Sequence, residues 1–396
     1  MVAFSTAATL TVAAFASLFM AWAIGAGSSG STPFAPAVGA NAIGVMRAGF
    51  VVGILGLLGA VLQGANVTEA VGRELILNVT LSPTAAVVGL LTAAILVAIG
   101  VFTGYPIATA FTVTGAVVGV GLALGGDPAW PKYREIVALW VAVPFVGGGI
   151  AYATARLLRD ERVAERFAVP TLAGLVGIIL VNVEFVLIGP AGEAASVAGQ
   201  AAAGFAGTTA LTARAGVSLL AALLVGGALF REMAADEARG QQRFLLVLGG
   251  LVAFSAGGSQ VGLALGPMLP LLDDVSFALP LTVLLLGGGI GLLAGSWTGA
   301  PRMIKALAQD YSSLGPRRSI AALIPSFAIA QTAVFFGVPV SFNEIIVSAI
   351  IGSGYAAGGS GVSGRKMGYT VLAWLGSLLL AGGVSYGLFL AVDAVL

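Results

Sequence analysis

Four hydroxyl side chains fall within five positions near the start of the chain: Ser28, Ser29, Ser31 and Thr32. Gly25, Gly27, Gly30, Gly39, Pro33 and Pro36 surround them. Such residues interrupt a helix and leave backbone N–H groups free to point at an anion. A cage of neutral N–H and O–H donors holds an oxyanion inside a membrane without burying a cation. Small residues also let helices pack closely in a bilayer, and a single serine would be read that way. Further polar residues stand in two short apolar stretches, Thr109, Thr112 and Thr114 in one, Ser341, Asn343 and Glu344 in the other. Ser259 and Gln260 stand in a second small-residue stretch, GGSQVGLALGPM. Glu344 is an ionisable group deep in an apolar run, which is a functional signal by default. It can bind a coupling cation or carry a proton; the plainer alternative is a helix start after Pro339 in a wet vestibule. Glu184, in LVNVEFVLIGP, is a second acid in an apolar run. Asp273 and Asp274 are expected at a solvated outer end.

The elements that position these residues occur twice. GYPIATAFTVTGAVVGVGLALGG at 104–126 matches GVPVSFNEIIVSAIIGSGYAAGG at 337–359, 233 residues on and without a gap. Gly104/Gly337, Pro106/Pro339, Gly119/Gly352 and Gly121/Gly354 coincide. The echo continues 234 residues apart at Lys132/Lys366 and Trp140/Trp374. The small-residue stretches beginning at Gly25 and Gly257 are 232 residues apart. A duplicated, Gly/Pro-interrupted pair of apolar segments points to a transporter site between two repeats.

Composition fixes the solvent. Hydrophobic residues make up 58% and charged residues 9% of the chain, too few charges to cover a soluble surface of this size. A polytopic membrane protein in a lipid bilayer follows. A net charge of +1 offers no basic surface for nucleic acid. Without Cys or His there are no disulfides, thiol chemistry, haem or the usual zinc sites, and no metal site or cofactor is expected. An embedded enzyme would need a nucleophile with its base or paired carboxylates; none is visible, and no catalytic residue is assigned.

About 12 hydrophobic segments run along the chain, at 2–25, 46–65, 83–102, 106–125, 136–156, 170–189, 211–230, 244–272, 276–296, 319–336, 340–357 and 368–393. The first lacks a basic flank and is expected to be a retained span. The stretches 25–44 and 255–272 read as broken or re-entrant, because non-helical backbone survives at membrane depth only inside protein or beside a cavity. The charged connections 156–166, 231–243 and 302–318 are separated by even numbers of spans. They share one face, cytoplasmic by the positive-inside rule, with both termini outside. The fold class is an all-α polytopic membrane protein of two inverted-topology repeats with broken or re-entrant hairpins. Residues 1–158 form the first repeat, 159–243 the connecting helices and loops, and 244–396 the second repeat. Glu184 lies outside the repeats, so a peripheral role is expected of it, such as a contact between copies in a homo-oligomer.

These residues carry a resemblance. The chain resembles the inorganic phosphate transporter family of secondary carriers. That family repeats a GANDVANA-type broken segment, followed in each half by a hairpin of the type G-[LV]-P-V-S-T-T-H. Gly337–Ser341 reads GVPVS and Gly104–Thr109 reads GYPIAT. Gly257–Pro267 fits the second broken segment, and Trp22–Gly39 stands where the first would lie. The family's Asn-Asp pair is missing from both halves; Ser259 and Gln260 replace it in the second. Its Thr-Thr-His becomes Phe342, Asn343 and Glu344. The family's aspartates are implied in sodium and phosphate handling, so their loss opens the sulfate permeases related to the family as an alternative.

The expected function is therefore a plasma-membrane secondary transporter of inorganic phosphate working by alternating access. Sulfate or another oxyanion is the alternative substrate, and a non-transporting accessory membrane protein the alternative of another class. The residues expected to line the substrate are Ser28, Ser29, Ser31, Thr32, Thr109, Thr112, Ser259, Gln260, Ser341 and Asn343. Glu344 is expected to couple transport to H+, with Na+ the other candidate.

Overall fold

The computed structural model describes residues 2–189, 194–204, 209–272, 279–310, 314–358 and 364–395. Asp273 and Asp274 lie outside the described residues. The first half contains α1 (Val2–Gly27), α2 (Ala35–Gly39), α3 (Val45–Gln63), α4 (Ala65–Arg73), α5 (Pro83–Thr103), α6 (Thr109–Ala123) and α7 (Trp130–Arg159). Then come α8 (Glu165–Asn182), α9 (Val197–Ala203) and α10 (Ala210–Ala235). The second half contains α11 (Glu237–Leu265), α12 (Leu281–Thr298), α13 (Ala300–Asp310), α14 (Pro316–Phe335), α15 (Phe342–Tyr355) and α16 (Gly364–Asp393). Two small antiparallel hairpins complete the list among the described residues. Strand β1 (Ile76–Leu77) pairs with β2 (Asp127–Pro128), and β3 (Glu184–Phe185) with β4 (Ala195–Ser196).

Hydrocarbon offers no partner for a free N–H or C=O, so apolar runs of this length must close their hydrogen bonds within themselves. Among the described residues, ten helices are long and apolar enough to span a bilayer: α1, α3, α5, α7, α8, α10, α11, α12, α14 and α16. Helices α6 and α15 have 15 and 14 residues, too short to cross alone. They are the hairpin segments of the sequence reading. Each is entered the same way. The preceding helix stops at a left-handed glycine, Gly104 at φ +76° and Gly337 at φ +61°. An irregular stretch through Pro106 or Pro339 follows, and a new helix starts at Thr109 or Phe342.

The duplicated glycines are contact points between the halves. A Cβ on Gly25 of α1 would lie 2.1 Å from the Leu292 carbonyl oxygen of α12, and one on Gly257 of α11 would lie 1.9 Å from the Gly56 oxygen of α3. Gly119 of α6 meets the Gly382 oxygen of α16 at 2.3 Å, and Gly352 of α15 meets the Gly148 oxygen of α7 at 2.1 Å, by the same measure. Backbones this close exclude any side chain, as small-residue packing in membranes requires.

Helix α1 is broken as expected, ending at Gly27 in a tight turn that leads to α2. The second small-residue stretch differs from expectation. Helix α11 runs unbroken through Ser255–Leu265 and only then tightens into a 3-10 helix over Gly266–Leu272. Its glycines are filled by neighbours. A Cβ on Gly258 would meet Gln63 at 2.8 Å, and one on Gly262 would meet Thr68 N at 2.6 Å, so α3 and α4 brace the helix where a break was expected. The prolines come later, at Pro267 and Pro270.

The charged connections meet on one face. Glu165 at the start of α8 pairs with Arg317 at the start of α14, and Gln241 at the start of α11 donates to Glu165 Oε2 at 2.6 Å. Helices α8, α11 and α14 therefore begin together. Helices α1 and α11 run antiparallel, with Ser17 Oγ donating to Ala264 O at 2.8 Å and Ser28 Oγ to Gln260 Oε1 at 3.1 Å.

Candidate functional site

The end of α1, the last turns of α11 and the starts of α6 and α15 meet inside the protein. Gln260 is the hub. Its Oε1 accepts from Thr109 Oγ1 at 2.7 Å and from Ser28 Oγ at 3.1 Å, and its Nε2 donates to Val340 O at 2.5 Å. Asn343 makes the reciprocal link, its Nδ2 donating to Gly27 O at 2.9 Å and Ile107 O at 2.7 Å. Val340 and Ile107 are the repeat-equivalent residues just before the two short helices. Ser28, Thr109, Gln260, Asn343, Ser259, Ser341 and Glu344 are all buried.

Several of these side chains have unused capacity. Ser259 Oγ, Ser341 Oγ, Asn343 Oδ1 and Glu344 Oε2 are buried and have no hydrogen-bond partner among the described residues. Buried polar atoms are normally satisfied, and each exception needs a reason. The starts of α6 and α15 add to this. Neither carries a side-chain cap, and the first N–H groups of any helix lack an intrahelical acceptor. Helix starts of this kind favour negative charge. The site thus combines hydroxyls, amides and two helix N-termini with a single carboxyl group, Glu344.

Other expected residues are nearby but turned elsewhere. Ser31 and Thr32 both donate to Ser28 O, at 3.2 and 3.0 Å, and complete the turn after α1. Thr112 donates to Ala108 O at 3.0 Å, back along its own helix. Ser29 is buried in the same turn, its N–H on Ile24 O at 3.1 Å. These four shape the backbone that presents Ser28 and Thr109. Thr114 is buried with an unpartnered hydroxyl further along α6.

Two residues of structural importance were noted in the sequence only as an echo. Trp140 of α7 donates Nε1–H to Pro339 O at 2.9 Å, and Trp374 of α16 donates to Pro106 O at 2.8 Å. Each indole reaches across to the proline of the other half's hairpin. Gln63 and Gln331, buried and mutually bonded, were missed altogether. A lone glutamine in an apolar run leaves no periodic signal.

This fold and site define a polytopic membrane carrier of the secondary-transporter type. The sequence profile of the phosphate transporter family matches residues 24–385, and the chain belongs to that family. It is similar to a Pyrococcus furiosus protein that carries a phosphate permease name, with 26% identity over 393 residues covering 94% of this chain and 93% of that one. It is similar to the chloroplastic inorganic phosphate transporter 2-1 of Arabidopsis thaliana, with 22% identity covering 90% of this chain and 68% of the plant protein. Among solved structures, one described as the sodium-dependent phosphate transporter shares the fold, with a TM-score of 0.81 and 22% identity over 98% of this chain and 100% of that one.

Proposed function

We propose that the chain moves inorganic phosphate across the membrane by alternating access, with the ion held among Ser28, Thr109, Ser259, Gln260, Ser341 and Asn343. The observation that carries the reading is the cross-linked meeting of the two short helices. Gln260 ties the start of α6 to Val340 in the stretch before α15, and Asn343 ties the start of α15 to Ile107 in the stretch before α6. A phosphate placed there meets helix N-termini and hydroxyls from both halves, so its departure to either side frees one half from the other. The inverted repeat, 1–158 against 244–396, is the architecture in which such exchange is a rocking of equivalent parts. The reciprocal indole bonds and the antiparallel α1 and α11 support it.

Coupling is assigned to Glu344, the site's carboxyl group, with a proton as the driving ion. Sodium is the second reading, favoured by the description of the solved relative. Hydroxyl, carbonyl and amide oxygens suffice for a monovalent cation, so Ser259, Ser341 and Asn343 Oδ1 are the residues it would use. Sulfate is the competing substrate. Phosphate still carries a proton near neutral pH, and Glu344 is the group positioned to accept it. The plasma membrane, with the arginine-rich face towards the cytoplasm and both termini outside, is the location that fits. The deciding experiment is uptake of radiolabelled phosphate and sulfate by proteoliposomes under imposed proton or sodium gradients. Phosphate uptake driven by protons is expected; sulfate uptake without phosphate uptake, or none above empty liposomes, would refute the reading.

A further inference from the structure

A cavity of about 480 Å³ lies between the ends of α3, α8 and α14. Helices α8 and α14 begin at the arginine-rich connections, so the cavity sits towards the opposite face. Its polar lining is Gln63, Asn66, Asn182, Glu184, Gln331 and Thr332. Two of these form its floor. Gln63 Nε2 donates to Gln331 Oε1 at 3.3 Å and to Glu184 O at 3.0 Å, and Gln331 Nε2 donates to Gln63 Oε1 at 3.2 Å and to Ser255 Oγ at 2.6 Å. Behind them Ser255 is fully buried, one turn before the unpartnered Ser259 on α11. Gln63 also abuts Gly258. This layer of side chains thus lies one turn along α11 from the site.

That layer is not demanded by packing. The equivalent positions in the other half are Ala23, Ala98 and Gly299, at the offsets set by Ser28/Gln260, Gly104/Gly337 and Gly59/Gly295. No polar side chain stands at any of the three. Amides buried in a membrane protein are costly unless bonded, and these are bonded to one another, to Ser255 and to one carbonyl. Their N–H and O–H donors are also the groups that replace water around an oxyanion.

We propose that this cavity is the chamber through which the oxyanion reaches the site from the face opposite the arginine-rich connections, and that Gln63, Gln331 and Ser255 form the filter that admits it. The proposal rests on the phosphate-carrier reading above. An arriving anion takes the N–H donors that the two glutamines now spend on each other and on Ser255, so opening the layer and recognising the substrate are one event.

The chain has no cysteine, so an introduced thiol is unique. Thr332→Cys, in the chamber wall but outside the filter, is modified in detergent with a bulky methanethiosulfonate and then reconstituted. Phosphate uptake is expected to collapse and to return when a reductant removes the adduct. Gln331→Leu is expected to raise KM for phosphate about tenfold, with Gln331→Asn between it and the parent, because the amide's two N–H donors are lost. Complete modification of Thr332→Cys with uptake unchanged would overturn the chamber. Parental KM in a folded Gln331→Leu protein would overturn the filter. If Gln331→Leu does not fold, the thiol arm decides. No uptake by the parent protein above empty liposomes would instead overturn the carrier reading, and this proposal with it.

Discussion

The indole of Trp140 is hydrogen-bonded to the carbonyl of Pro339, 199 residues away, at 2.9 Å. Its counterpart Trp374 holds Pro106 O at 2.8 Å. A carbonyl beside a helix break has no ladder partner, and each half supplies one for the other. Trp140 also stacks on Phe111 of α6, with ring centroids 3.8 Å apart, so one side chain touches both hairpins. Trp140→Phe and Trp374→Phe keep a ring and delete the donor. Each should cost about 1–3 kcal/mol at its hairpin, because a buried carbonyl is left unpaired. The two variants should shift the carrier in opposite directions. Influx and efflux measured separately on each would show this; equal changes in both directions would reduce the indoles to packing.

Gln260 joins more of the site than any other side chain. Gln260→Leu removes two acceptor contacts and one donor contact, and should abolish phosphate uptake while the protein still inserts. Ser28→Ala with Ser259→Ala should weaken phosphate binding by about 1–3 kcal/mol per lost donor. Ser31→Ala should matter less, since its hydroxyl is spent on Ser28 O. Binding of phosphate to the detergent-solubilised variants, read by calorimetry, checks the ranking. A Ser31→Ala effect as large as that of Ser28→Ala would contradict it.

Glu344→Gln keeps shape and hydrogen-bonding capacity but cannot carry a proton. Uptake by the parent should rise as the outer medium is acidified and persist when potassium replaces sodium. The variant should lose the pH dependence while retaining phosphate exchange without a gradient. Strict sodium dependence in the parent would move the coupling site to Ser259, Ser341 and Asn343.

The glycine contacts make a prediction about stability alone. Gly257→Ala places a methyl group 1.9 Å from the Gly56 oxygen, and Gly25→Ala places one 2.1 Å from the Leu292 oxygen. Backbone cannot yield as a side chain can, and overpacking of this kind costs typically about 1–3 kcal/mol or more. Gly383→Ala, with nothing within 4 Å, is the matched control. Thermal unfolding in detergent should separate the first two from the third.

Much of this was legible in the sequence because duplication prints itself twice. The matched glycines and prolines at 104–121 and 337–354 marked both hairpins, and hydroxyl density marked the turn after Gly27. The direction of individual side chains was not legible. Ser31, Thr32 and Thr112 look like donors until their own backbone claims them. The break expected over 255–272 is confined to the 3-10 helix at Gly266–Leu272, because α3 and α4, elements distant in sequence, fill the space that the earlier glycines leave. Trp140 and Trp374 could be matched to each other from the sequence, but not to Pro339 and Pro106, since nothing local reveals a partner in the other half.

The amide layer on one flank, against Ala23 and Ala98 on the other, makes the two sides of the membrane chemically unequal to a travelling ion. Equilibrium cannot favour a direction, but rates can. An ion approaching from the glutamine side trades water for ready-made donors, while one approaching from the alanine side must shed its hydration before any replacement is in reach. Flux under a reversed gradient of equal size should therefore be smaller, and along the proposed route the molecule should act as a rectifier whose polarity is written in three side chains.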